Sequence, residues 1–275
     1  MDSSAPRRRA FPKFFSGVIL LAGVVALKAK GLLILVIERA RVFWVNPFEG
    51  FGAVQYAVAG GSFAVTIAAY MTKYPFAVVF GFVGITLVHE IGHAVVIRAK
   101  GLRAGFMVFI PFIGGAVTLK DQPRTVFDDA LIGLAGPFFG TLASLLILQG
   151  YKWTSDPLYL LIACLGFFLN LFNLLPIGML DGGRISAAIT KWMWLIGGGV
   201  VVWKVIDQPN PLIIAIAVLA AFQVYASIVR EKTDKDFYAI APFQRAAIAV
   251  LYFALVVFLG HQTWMTYSRL ELLRR

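Results

Sequence analysis

His89-Glu90-Ile91-Gly92-His93 lies near the end of an apolar run over residues 74–97, and this placement decides the fold. Such a run is long enough to cross a bilayer, which takes about 20 apolar residues at about 1.5 Å each. Ionisable groups in a membrane helix cost on the order of 3 kcal/mol apiece, so a helix carrying two histidines and a glutamate needs a compensating partner. Residues i and i+4 share a helix face, which lets His89 and His93 ligate one ion. Glu90 lies beside them, in reach of protons on a water at that ion.

The chain has only three histidines in 275 residues, so chance is a poor source of this pattern. Two histidines leave a hydrolytic zinc site one protein ligand short. No further histidine follows nearby. Downstream stands Asn173-Leu174-Leu175-Pro176-Ile177-Gly178-Met179-Leu180-Asp181-Gly182-Gly183.

The two motifs together resemble the site-2 protease family of intramembrane zinc metalloproteases, peptidase family M50. The resemblance runs from about Tyr56 to Arg184 and includes Leu134-Ala135-Gly136-Pro137. It implies one zinc ion held by His89, His93 and Asp181, with Glu90 as the catalytic acid and base. It also implies that Asn173, within Asn-x-x-Pro, sits near the metal and holds substrate or a developing oxyanion. The substrates it implies are single-span membrane proteins. Nothing in the chain resembles an appended PDZ or CBS domain.

Composition agrees with a membrane protein. Hydrophobic residues make up 60% of the chain, and the net charge is +11. The basic residues cluster at the ends of apolar runs, so the charge reads as membrane topology and not as nucleic-acid binding. The single cysteine, Cys164, excludes an internal disulfide and a cysteine zinc site. It lies in an apolar run, where a packing role is expected.

The expected fold is all-α: a polytopic transmembrane helix bundle of six or seven spans with a short re-entrant hairpin. Candidate spans are residues 56–71, 74–97, 130–148, 158–177, 192–206, 211–229 and 240–260. Residues 1–50 read as a basic segment, with 14–44 lying along the membrane surface. Residues 51–264 form the metalloprotease domain and 265–275 a basic tail. Residues 109–119 are apolar but too short to span. Pro111 and the pair Gly114-Gly115 suggest a hairpin whose edge pairs with an unwound substrate. The family has a re-entrant β-loop at the corresponding place.

Arg98, Lys100, Arg103, Lys120 and Arg124, then Arg184 and Lys191, then Arg230, Lys232 and Lys235, fall in alternate loops. That pattern puts both motifs near the cytoplasmic face, in a multi-pass protein of the cell membrane. Asp181 follows a helix ended by Pro176, and Gly182-Gly183 provide permissive backbone for a bend toward the histidines. Asn170 reads as an interhelical hydrogen-bonding residue, and Gly136 and Gly140 as a small-xxx-small packing pair. Trp44, Trp153, Trp192, Trp194 and Trp264 read as an aromatic belt, and His261 as interfacial. The competing functions are a non-catalytic protein that binds transmembrane helices and a metal transporter.

Overall fold

In a computed structural model, the structure describes residues 46–275 except 113, 179, 191, 208–213, 215–216, 219–220, 223–224, 226–228 and 230–233. The basic segment over residues 14–44 and most of the candidate span over 211–229 lie outside these residues.

Helix α1 covers Ala53–Met71, and α2 covers Phe76–Ala99. The side chain of Gln55 caps the start of α1, accepting from Gly52 N–H at 2.8 Å. Pro75 sits at the N-cap of α2, where its missing N–H costs nothing. Arg98 lies in the last turn of α2, and Gly101 then adopts φ +73, a left-handed exit that suits glycine.

Strands β1 (Ala104–Ile110) and β2 (Gly114–Leu119) form an antiparallel hairpin. Thus the bundle is not purely helical. The hairpin also begins five residues before the apolar stretch starting at Phe109, because Ala104–Val108 alternate well enough to pair. Phe112 at φ 65 and Gly114 at φ 130 make the turn. At the open end, Arg103 grips Asp121 with its backbone N–H at 2.8 Å and its guanidinium at 2.7 Å.

Helix α3 covers Val126–Thr154 and α4 covers Pro157–Asn173. Thr125 caps α3 by accepting from Asp128 N–H, and Asp156 caps α4 by accepting from Leu158 N–H. Next come α5 (Asp181–Ile189), α6 (Met193–Asp207), α7 (Lys235–Tyr238) and α8 (Pro242–Arg274). A core of Val126, Ala130, Phe167, Leu174, Ile185 and Ile248 joins α3, α4, α5 and α8.

Four helices among the described residues, α1, α2, α3 and α8, are long and apolar enough to cross a membrane. Six or seven is not reached there. Helix α4 stops at 17 residues, because it ends at Asn173, before Pro176, and α6 has only 15. Helices α2 and α3 are about half buried, whereas α1 has Thr66 as its single buried residue, so the first two form the centre of the bundle.

Candidate metal centre

Three side chains from two helices converge on one point. Helix α2 supplies His89 and His93 from one face, both buried. The first residue of α5, Asp181, supplies a carboxylate. The two Nε2 atoms are 3.1 Å apart. Asp181 Oδ2 is 3.1 Å from His89 Nε2, and Oδ1 is 3.3 Å from His93 Nε2.

The proton positions decide what this cluster wants. His93 Nδ1 is 2.7 Å from the carbonyl of Ile132, which can only accept, so the hydrogen sits on Nδ1. Asn170 Nδ2 donates to the Gly166 carbonyl at 2.7 Å, which turns Oδ1 toward His89 Nδ1 at 2.9 Å. With both rings neutral, as metal ligation requires, each presents a bare Nε2 lone pair to the other and to a carboxylate. Buried acceptors that face one another repel unless a cation lies between them. Asp181 Oδ2 is accordingly buried with no hydrogen-bond donor. Tetrahedral zinc with ligands at about 2.0–2.1 Å sets neighbouring donor atoms about 3.3 Å apart. The observed spacings match, and the donor set of two imidazoles and one carboxylate suits zinc with a fourth position open.

The backbone around the cluster explains the local sequence. Helix α3 crosses α2 at Gly136, where a Cβ would fall 2.2 Å from His93 Nε2 and 2.7 Å from His89 Nε2. Gly136 is thus the floor of the site, beyond mere helix packing. Gly140 plays the same part for Asn170, whose Oδ1 would lie 2.1 Å from an added Cβ. Pro137 has no N–H for the Gly133 carbonyl, loosening α3 at the turn where Ile132 receives His93.

Gly182 and Gly183 do not make the bend before Asp181. Both lie in the first turn of α5, without positive φ. They are small because carbonyls press on them: a Cβ would meet Leu174 O at 2.1 Å and Ile177 O at 2.3 Å. The preceding turn is held from outside. Tyr252 of α8 donates to Leu174 O at 2.6 Å, and Arg245 donates to Ala188 O and Ile189 O at 2.7 and 2.9 Å. Arg184 binds Asp129 in the first turn of α3, while Lys100 binds Asp128 beside it. Trp194 is buried and donates to Gly183 O at 3.2 Å. It is therefore a brace on α5, not a member of an aromatic belt. Trp153, Trp192 and Trp264 are exposed, and Trp44 lies outside the described residues.

Glu90 is buried, with Oε2 lacking a partner. The backbone of Val117 in β2 reaches its carboxyl. Gly115 packs so closely that a Cβ there would lie 2.6 Å from Glu90 Oε1. Phe109 N–H leaves the hairpin to reach Ser62 Oγ at 3.1 Å, so Phe109 and Gly115 form a non-hydrogen-bonded pair. By alternation, Met107 and Val117 form another. The peptide groups of Gly115 and Val117 therefore project from the outer edge of β2, which has no strand partner among the described residues. Gly114 lies in the turn leading into that edge.

Asn173 does not reach the histidines; its Nδ2 donates to Leu169 O on its own helix. The asparagine that does is Asn170, one turn earlier. Its three-residue spacing from Asn173 was the only hint in the sequence. Arg184, Arg245, Tyr252 and Trp194 had no such signal, because ordinary residue types carry their roles. His261 is exposed on α8, and Cys164 is buried with Sγ 4.0 Å from Thr263 O.

Residues 76–153 and 149–196 match the model of peptidase family M50. This stretch, 121 of the 275 residues, is similar to that family. The M50 segment holds all three ligands, Glu90, the hairpin and the α3 glycines. The chain is 31% identical over 113 residues to "Zinc metalloprotease MJ0392" of Methanocaldococcus jannaschii, covering 39% of this chain and 32% of that protein. It is 30% identical over 155 residues to "Putative zinc metalloprotease Rip3" of Mycobacterium tuberculosis, covering 53% of this chain and 34% of that protein. It thus spans about a third of the length of these curated relatives. The M50 match and four helices long and apolar enough to cross a bilayer together point to a membrane protein.

Proposed function

We propose that this chain is an intramembrane zinc metalloprotease of the site-2 protease type, hydrolysing peptide bonds in or next to transmembrane segments of substrate proteins. The observation that carries the reading is Glu90. Its buried, half-unpartnered carboxyl lies between three converging metal donors and the outer edge of β2.

His89, His93 and Asp181 hold the zinc. When bound, the ion supplies Lewis acidity that polarises a scissile carbonyl and acidifies water. Glu90 takes the proton of the attacking water and returns it to the leaving nitrogen. A substrate helix must first unwind, since its carbonyls are otherwise engaged within the helix. The freed strand pairs with the peptide group of Gly115 and the carbonyl of Val117, whose N–H is held by Glu90, with Gly114 shaping the approach. Asn173, at the end of α4, holds the substrate or the developing oxyanion.

The substrates are single-span membrane proteins within the lipid bilayer, with no nucleic acid involved. Helices α4 and α6 and the segment over 211–229 add further crossings to the four long helices, for six or seven in all, and the hairpin re-enters from one side. The basic residues Arg98, Lys100, Arg103, Lys120, Arg124 and Arg184 support a cytoplasmic position for the site, in the cell membrane.

The test is cleavage of a reconstituted single-span substrate by the zinc-loaded chain and by Glu90→Gln. The wild type should cut, and the variant should keep zinc and be inert. A Glu90→Gln protein that cuts at the wild-type rate overturns the assignment. Asp181→Asn should lose zinc, and unchanged metal content in that variant overturns its role as a ligand.

A further inference from the structure

A cavity lies near the centre. It has a volume of about 190 Å³ and lies between α1, α2, α4 and the tip of the hairpin. Its walls include Thr66, Tyr70, Thr86, Phe112, Phe168 and Phe172. Small-molecule sites span about 300–1,000 Å³, so this space suits one side chain better than a whole ligand.

We infer that this pocket receives a large apolar side chain, aromatic by preference, of the polypeptide that lies along β2, and so selects where the chain is cut. The inference rests on the protease reading above.

Three observations carry it. The first is continuity with the reacting centre. Thr86 precedes Glu90 by four residues on the same face of α2, one turn or about 5.4 Å away. Gly114 lines the pocket and adjoins Gly115, which abuts the Glu90 side chain. A strand added to β2 sends alternate side chains to one face at about 6.8 Å intervals. A residue one or two positions from the reacting peptide therefore reaches this space.

The second observation is the character of the wall. Phe168 and Phe172 are both substantially exposed, one turn apart on α4. Phe112 stands at the hairpin tip with its ring 4.8 Å from that of Tyr70, and its N–H is held by Tyr70 Oη at 3.2 Å. Aromatic walls favour an aromatic occupant through offset and edge-to-face contacts. The third is an unfinished wall: Thr66 is only 4% exposed, yet its hydroxyl has no hydrogen-bond partner. Thr66 is the single buried residue of α1.

The test uses a reconstituted single-span model peptide in which each position near the membrane boundary is set in turn to Ala, Leu or Phe. Cut sites are read by mass spectrometry with the zinc-loaded wild type. In parallel, the same peptide carries a benzophenone-bearing phenylalanine at the scanned position, and its photo-crosslinks to Glu90→Gln are mapped. The expected result is a preference for Phe and Leu over Ala of about tenfold or more at one fixed offset from the cut. Crosslinks from that position should fall on Phe112, Phe168 or Phe172.

Thr66→Leu should fill the space and shift preference toward Ala, and Phe172→Ala should relax it. The second variant keeps the test decisive if the first fails to fold. Crosslinking in the pocket without any cutting leaves the pocket standing and removes the protease reading. Cutting whose preference ignores both variants, or crosslinks that map elsewhere, removes the pocket and leaves proteolysis standing.

Discussion

Asn170 Oδ1 accepts from His89 Nδ1 at 2.9 Å, joining α4 to the metal-facing helix across 81 positions of sequence. This contact fixes the tautomer that leaves Nε2 bare for an ion. Groups that orient a metal-binding imidazole are worth about 10–100-fold in affinity. Asn170→Leu should lower zinc affinity by that factor, measured by competition with a chromophoric chelator. Unchanged affinity would show that the ring is held by packing alone.

Gly136→Ala sets two effects against each other. Alanine in a helix interior gains about 1 kcal/mol over glycine. The added Cβ would nonetheless stand 2.2 Å from His93 Nε2. The protein should remain folded by circular dichroism while purifying without metal. Full zinc occupancy in the alanine variant would mean that α3 can retreat from α2.

The Arg103–Asp121 pair closes the open end of the hairpin and gives it a pH dependence. Hydrogen bonds from the Arg103 side chain and backbone hold Asp121 at a pKa of about 2, below its ordinary 3.8. A carboxylate with a lowered pKa stabilises the folded form fully above the ordinary value. That contribution fades as pH falls from about 4 through about 2. Amide exchange at the strand ends, taken relative to the intrinsic rate at each pH, should quicken over this window. Asp121→Asn should quicken it already at pH 7 and flatten the profile.

Helix α8 holds both ends of the Asp181 segment, through Tyr252 at Leu174 O and Arg245 at the end of α5. Tyr252→Phe should cost about 1 kcal/mol, and Arg245→Met about 1.5–3 kcal/mol. Both should lower the Tm and weaken zinc retention, although neither residue touches the ligands. A loss of stability with undiminished zinc affinity would confine α8 to a packing role.

How far the sequence could be read follows from which residues are rare. Histidines are so few that an i, i+4 pair flanking a glutamate in an apolar helix announces itself, and Asp181 came with the family pattern. Asn170 was harder, because an asparagine in a membrane helix has many ordinary partners. Trp194 misled because an indole suits an interface as well as it suits a buried carbonyl. Gly182 and Gly183 were read for backbone freedom, yet they answer to crowding from a turn five to eight residues upstream. The described residues hold four long spans and not six or seven, because hydropathy does not say where a helix ends: α4 closes at Asn173 while the apolar run goes on to Ile177.

His89 and His93 are made long before Asp181, with the whole of α3 and α4 between them. A ribosome will therefore have released both imidazoles while the third donor is still unmade. Tight capture of the ion must wait until α3 and α4 have folded back and brought α5 to α2. Metal uptake thus becomes a report that folding has reached α5, and a chain stalled before Asp181 stays chemically silent.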